Sequence, residues 1–180
     1  CHLARGAPLG ARNLLTGHCS LGTGPQDVKY GEVESRLEIG DDNVIREYVT
    51  ISCGTAEGSV TQIGSGNLLM AYAHVAHNCE IGHRVILVNL ASLTGYCVIE
   101  DGAFLSGMVG LHQFTRVGRL AMISALSAVN KDVPPYMLCG GRPAVIQGLN
   151  VVGMRRAGIA PAAREEIKRA YKLLYRCGLN

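Results

Sequence analysis

Leu69-Met70-Ala71-Tyr72-Ala73-His74-Val75-Ala76-His77-Asn78-Cys79-Glu80-Ile81-Gly82-His83-Arg84-Val85-Ile86-Leu87 carries the pattern that decides the fold. Leu69, Val75, Ile81 and Leu87 stand six apart. The same step runs outward through Leu3, Leu9, Leu15, Leu21, Val33, Ile39, Ile45, Ile51 and Ile63 on one side. On the other it runs through Leu93, Ile99, Leu105, Leu111, Val117, Ile123 and Val129, and only Asp27 and Glu57 interrupt it. A period of six is neither helical nor simple strand alternation. It marks a solenoid whose turns have three short flat faces of one hexapeptide each.

A second slot agrees. Four residues after each aliphatic, from Leu69 onward, stand Ala73, Cys79, Val85, Ala91, Cys97, Ala103, Val109, Thr115, Ala121 and Ser127. These small or β-branched residues suit the narrow part of a triangular section. Glycine follows the aliphatic at Gly10, Gly22, Gly40, Gly64, Gly82 and Gly118, where a corner is expected to need unusual backbone angles. One hexad cannot bury itself, so stability comes from stacked neighbours. The expected fold is an all-β solenoid, a parallel β-helix over 1–130, with a small C-terminal turn and α-helical region over 131–180.

Composition fits a single domain with a narrow core: 180 residues, 5% aromatic and no Trp. A net charge of +3 gives no reason to expect nucleic acid. The charge is uneven, at +5 from Asn150 onward and −2 before it, so a basic tail could meet an acidic partner. The seven cysteines form no CxxC pair, and Cys19, Cys79 and Cys97 fall in the small inward slot. An unpaired set suits a reducing cytoplasm. There is no 18-residue apolar run and no signal-peptide pattern. The repeat is in phase by Leu3, so earlier coils are expected to be missing, with a lipidated Cys1 as the other reading.

Three places leave the repeat. Asp27 and Glu57 cannot sit unpaired in a core, so loops are expected near 24–36 and 54–62. Asp132-Val133-Pro134-Pro135-Tyr136 should stop the coil. Gly140-Gly141-Arg142-Pro143 makes a further turn. A short helix over Val151–Ala157 follows, with Asn150 as N-cap. A longer one starts at Pro161, with a stripe of Ala163, Ile167, Ala170 and Leu174 and a cap at Gly178.

The chemistry candidates are histidines. His74 and His77 flank Val75 without replacing an aliphatic. Three readings stand open: two surface histidines, metal ligands drawn from His74, His77, His83 and His112, or a histidine general base. The spacing specifies no metal set.

Longer motifs carry a family resemblance. The strand Leu68 to Cys79, with its His74-Val75-Ala76-His77, resembles the active-site strand of the UDP-N-acetylglucosamine O-acyltransferase family. So do Gln26-Asp27-Val28-Lys29-Tyr30, Leu37-Glu38-Ile39-Gly40, Ile45-Arg46-Glu47-Tyr48-Val49-Thr50-Ile51, Leu111-His112-Gln113-Phe114, Asp132 to Tyr136, Gly148-Leu149-Asn150, Gly153-Met154-Arg155-Arg156 and Ala170 to Arg176. The resemblance covers nearly everything from Gln26 onward. It implies a left-handed coil. It also implies transfer of an (R)-3-hydroxyacyl chain from acyl carrier protein to the 3-hydroxyl of UDP-N-acetylglucosamine, the first step of lipid A synthesis.

On this resemblance His77 is the general base and the Gly95 N–H holds the oxyanion. Gln26, Asp27, Lys29 and His74 hold the sugar end. His112 and Gln113 line the cleft, Asn150 and Arg156 bind the uridine diphosphate, and Ala125 is the ruler for the acyl tail. The resemblance further implies a cytoplasmic homotrimer with sites between subunits and no stable membrane insertion. It requires no metal or bound cofactor, since the donor rides on the phosphopantetheine of the carrier. The chain departs from the pattern at Asn78 (usually Asp), Tyr96 (His), Ser52 (His), Val152 (acidic) and Ala157 (basic). Two other readings remain: another hexapeptide acyltransferase, either a sugar N-acyltransferase or a CoA-dependent enzyme, and a non-catalytic paralogue that serves as a binding module.

Overall fold

The computed structural model describes residues 1–4, 7–31 and 33–177. The described chain is a three-sided coil of two-to-four-residue strands, closed at its C-terminal end by a hairpin and two helices. Every third strand falls in the same sheet. The first sheet carries the rungs at Leu3, Leu21, Ile51, Val75, Leu93, Leu111 and Val129. The second carries Ile39, Ile63, Ile81, Ile99 and Val117. The third carries Leu15, Ile45, Leu69, Leu87, Leu105 and Ile123, and the hairpin completes it. Pairing along the coil is parallel and sets like on like: Val75 on Leu93, Ile81 on Ile99, Leu87 on Leu105. The rungs from Leu21 onward and the apolar residues of the small slot from Ala73 to Ala121 form one buried cluster; Leu15 packs against it and Leu3 is exposed.

Each hexad turns at one point. Among the described residues, fourteen non-glycines have positive φ, and all stand three residues after an inward aliphatic, from Arg12 to Tyr136. Each such residue costs of order 1 kcal/mol. None is β-branched, as that region demands. The sequence pattern points instead to the glycines that follow the aliphatics as the strained positions. Of those only Gly22 has positive φ (75°). The others sit where successive coils nearly touch: a Cβ on Gly40 would come 2.9 Å from the Gly64 carbonyl oxygen, and one on Gly118 2.8 Å from Pro134. Close approach, not backbone angle, selects glycine there.

Both loop excursions lie on the same corner, between the first and second sheets. Leu21 pairs with Ile51, Ile51 with Val75, and Val75 with Leu93. The spacing falls from thirty to twenty-four to eighteen residues, which places one insertion in each of two adjacent coils. Val33 belongs to the first insertion and is not a rung. The loops bond to each other: Gly58 N–H to Glu34 O (2.7 Å), Glu34 N–H to Glu57 Oε2 (3.1 Å) and Ser35 Oγ–H to Gly54 O (2.7 Å).

The coil runs past residue 130. Val133 bridges Val117, and Met137–Gly141 pairs with the Ile123 strand. Pro134 and Pro135 are tolerated because no later coil needs their N–H groups at that corner. Met137–Gly141 and Ala144–Leu149 then form an antiparallel hairpin around the expected turn. No pattern in the sequence marks the second hairpin strand. Helix α1 (Val151–Arg156) is capped by Asn150 and buries Met154. Helix α2 (Pro161–Arg176) faces the body with Ala163, Ile167 and Tyr171, whereas Ala170 and Leu174 are exposed. Tyr171 packs on the core. The expected cap at Gly178 lies outside the described residues.

If close approach selects these glycines, Gly64→Ala should cost about 1–3 kcal/mol, because its methyl would meet the Gly82 carbonyl carbon at 2.7 Å. Gly17→Ala meets open space and should be neutral. Urea unfolding of the two variants, with Gly64→Ala as stable as Gly17→Ala, would overturn this account.

Candidate active site

The corner between the first and second sheets gathers most of the candidate residues. Along it stand the first loop with Gln26, Asp27 and Lys29, the second loop with Thr55, then His77-Asn78, Gly95-Tyr96 and His112-Gln113-Phe114 on successive coils. The two-residue offset from each inward aliphatic sets His77 directly over Gly95, its counterpart one coil on.

His77 is 6% exposed, so the surface reading fails for it. Its ring lies against the Gly95 backbone, where a Cβ would come 2.6 Å from Nε2 and still closer to Cε1. Glycine is therefore required at 95 for the ring to sit there. Gly95 is buried, and its N–H donates to no acceptor among the described residues. Tyr96 meets the His77 ring edge-on (5.3 Å, 84°) and stacks on Phe114 (5.0 Å).

The His77 tautomer follows from its neighbours. Asn78 has φ of 58° at the corner, which Asn tolerates. Its Oδ1 accepts from the Thr55 N–H (3.1 Å) and the Thr55 hydroxyl (2.9 Å), and lies 3.1 Å from His77 Nδ1. A backbone N–H can only donate, so the amide oxygen must face it. His77 Nδ1 therefore carries the proton and donates to Oδ1, which leaves Nε2 with its lone pair.

His74 is half-buried on the first sheet, with Nδ1 2.7 Å from Thr50 Oγ1. Burial, and then the nearby His77, lower its pKa below the ordinary histidine value. Asp27 Oδ1 accepts from the Lys29 N–H (2.9 Å), which shapes the loop, while Gln26 and Lys29 are exposed. His112 is exposed and donates from Nδ1 to Gln113 O (3.2 Å). His83 lies on another corner, where Nδ1 accepts from the Ser65 N–H (3.0 Å). No three His, Cys, Asp or Glu side chains converge as a metal-ligand set among the described residues.

Three expected site residues lie elsewhere. Ala125 is exposed on the corner between the third and first sheets. Asn150 is buried beside the corner between the second and third sheets. Its Nδ2 donates to Leu120 O (2.9 Å) and its Oδ1 accepts from Gly153 N–H (2.9 Å), so its amide is committed to the capping of α1. Arg156 is exposed at the end of that helix. One chain thus spreads the expected site over three edges. Two grooves of about 410 and 570 Å³ lie along the second sheet, and neither is lined by His77. Sequence reasoning missed Thr55. The charge at Glu57 in an inward position signals a loop there, and nothing in it points to Asn78.

Comparison with known proteins adds the family. A model described as UDP N-acetylglucosamine O-acyltransferase, domain 2, matches residues 132–180. A bacterial transferase hexapeptide model (six repeats) matches residues 61–95. Over 96% of its length the chain is 47% identical to an acyl-[acyl-carrier-protein]–UDP-N-acetylglucosamine O-acyltransferase of Gloeothece citriformis, and it covers 62% of that protein. A Synechocystis protein of the same name is 46% identical over 93% of the chain, which covers 61% of it. The chain thus spans about three fifths of the length of these relatives. Among solved structures, a UDP-N-acetylglucosamine acyltransferase from Bacteroides fragilis superposes with a TM-score of 0.95 at 41% identity, over 99% of this chain and 70% of that one. The Francisella novicida enzyme gives 0.92 at 42% identity, over 94% of this chain and 63% of that one.

Proposed function

The chain belongs to the UDP-N-acetylglucosamine O-acyltransferase family, and we propose that it transfers an (R)-3-hydroxyacyl chain from acyl carrier protein to the 3-hydroxyl of UDP-N-acetylglucosamine. The observation that carries this reading is the pairing of His77 and Gly95. A base with its lone pair on Nε2 sits against a buried backbone N–H that has no acceptor among the described residues. Acyl transfer to a hydroxyl needs those two groups side by side: one to take a proton, one to hold a developing oxyanion.

In this reading Nε2 takes the proton of the sugar hydroxyl as its oxygen attacks the thioester carbonyl carbon. The carbonyl oxygen gathers charge against the Gly95 N–H. The C–S bond then breaks, the ester forms, and His77 returns the proton to the departing thiolate. No covalent acyl-enzyme is needed, and no cofactor beyond the carrier's own phosphopantetheine. Gln26, Asp27, Lys29 and His74 hold the sugar from the N-terminal side of the same edge, and His112 and Gln113 line the other side. The setting is the first step of lipid A synthesis, with the enzyme in the cytoplasm. Among the described residues, no helix is long and apolar enough to cross a membrane.

The reading includes a homotrimer of left-handed coils. It is supported by the distribution of residues over the prism. The outer face of the third sheet is apolar, with Val44, Leu68, Ile86, Phe104 and Met122 in line, and its edge adds Tyr48, Tyr72, Leu90, Met108 and Leu126. The first sheet shows Ser20, Thr50, His74 and Ser92 outward, and the second Glu38, Gln62, Glu80 and Arg116. An apolar face of this kind suits a second copy. Neighbouring copies would also bring Ala125, Asn150 and Arg156, which lie on other edges, to the His77 edge.

His77→Ala should lower turnover by roughly 10²–10⁴-fold without unfolding the chain, assayed with UDP-N-acetylglucosamine and hydroxyacyl carrier protein. Activity within twofold of wild type would end the assignment. Under the same assay, activity with CoA donors in place of the carrier would favour another hexapeptide acyltransferase, and no turnover with any donor the binding-module reading.

Ile86→Glu or Phe104→Glu should convert a trimer to a monomer in sedimentation. An unchanged sedimentation coefficient for both would remove the third sheet from the interface.

Ala125→Met should shift the preferred donor to shorter chains and Ala125→Gly to longer ones. One methylene of mismatch in an apolar pocket is worth roughly 10–200-fold. An unaltered ranking of donors in both variants would show that residue 125 lines no tail groove.

A further inference from the structure

We infer that Thr55 and Tyr96 are positioning residues for His77, and that they do through an amide what a carboxylate at position 78 would do alone. The inference rests on the reading of His77 as the base. Its ground is a continuous line of hydrogen bonds across three coils. The Thr55 hydroxyl has one proton, which goes to Asn78 Oδ1 at 2.9 Å. The 3.1 Å contact between Thr55 Oγ1 and the Tyr96 hydroxyl then runs the other way, with Tyr96 donating. The direction is fixed throughout: Tyr96 O–H to Thr55 Oγ1, Thr55 O–H to Asn78 Oδ1, and His77 Nδ1–H to that same oxygen.

The arrangement answers a chemical problem. A carboxylate beside the ring offers two equivalent acceptors, so either orientation receives the Nδ1 proton. An amide offers one acceptor and one donor. Turned over, Asn78 would present Nδ2 to His77 and stabilise the ring with its proton on Nε2. That tautomer has no lone pair where the sugar hydroxyl must be deprotonated. Asn78 is half-buried at the corner, and the contacts of its Oδ1 decide against rotation. Thr55 excludes it with two donors, the backbone N–H and the hydroxyl. Tyr96 holds the Thr55 hydroxyl in the donating rotamer, and its ring holds the edge of His77. Thr55 is available because the second excursion opens on this corner.

Two measurements test this together on the full chain. The first is the tautomer of His77 by ring ¹⁵N NMR, which needs no turnover. The wild-type ring should carry its proton on Nδ1. Tyr96→Phe and Thr55→Val should raise the Nε2-protonated population, and Thr55→Ser should not. The second is kinetic. Tyr96→Phe and Thr55→Val should each lower kcat about 2- to 10-fold with KM unchanged. In the Asn78→Asp background both substitutions should become nearly silent, since a carboxylate needs no orienting partner. Asn78→Asp alone should move the acid limb of the pH–rate profile upward, because a neighbouring negative charge favours protonated His77.

A wild-type ring protonated on Nε2 would overturn the inference. So would an unchanged tautomer and kcat in both variants, or the same loss from them in the Asn78→Asp background as in wild type. If the wild-type chain transfers no acyl group, the functional reading falls, and the tautomer populations still decide whether Thr55 and Tyr96 orient the ring.

Discussion

Stacking of like on like at an eighteen-residue interval is the constraint on which everything else in this chain depends. Each inward aliphatic rests on its copy in the next coil, and each strand's N–H groups reach carbonyls of that coil. The strands are mostly two residues long, so none persists without its neighbours. Inserting or deleting a residue within a face would throw every later side chain out of register. The faces are therefore closed to variation, and only the corners remain free to change.

This explains what the sequence made legible. The hexads from Leu69 to Val129 announce the coil because burial acts on every sixth residue alike. His77 and Gly95 are named together by the family resemblance, and the eighteen-residue interval between them sets one over the other. Features that depend on contact between distant turns were not legible. Gly64 looks like a residue chosen for its backbone freedom, and only the adjacent Gly82 carbonyl shows that space is the issue. Val33 keeps the period by coincidence inside a loop. Asn13, Asn43 and Asn67 take the inward slot at one corner and bond up the coil in an internal ladder, Asn43 N–H to Asn13 Oδ1 and Asn67 N–H to Asn43 Oδ1. Nothing in their spacing distinguishes them from turn residues. Thr55 falls in a break in the pattern, where periodicity carries no information about contacts.

The three corners divide the labour. One holds His77, the groups hydrogen-bonded around it and both insertions. Another carries apolar side chains from Tyr48 to Leu126, and the third carries the close-packed glycines and the cap at Asn150. A solenoid has no internal cleft, and its grooves in a single chain are shallow. A site that needs groups from several corners must be assembled by bringing edges of different copies together. In the proposed trimer, the apolar third sheet and the separation of Ala125, Asn150 and Arg156 from His77 are two aspects of one arrangement.

The departures at 78 and 96 are best understood at the corner as a unit. A carboxylate at 78 would both place a charge beside His77 and fix the tautomer of its ring. The amide restores only the second function, and only while something prevents its rotation. The second excursion supplies a backbone N–H at that point, which cannot accept a hydrogen bond and so, together with the Thr55 hydroxyl, disfavours the wrong orientation. Tyr96 reaches the Thr55 hydroxyl and closes the line. A histidine held this way is oriented by neutral hydrogen bonds alone. As the proposed base it would suit a reaction in which the proton is taken as the carbon–oxygen bond forms, where the position of the lone pair matters as much as its affinity for the proton.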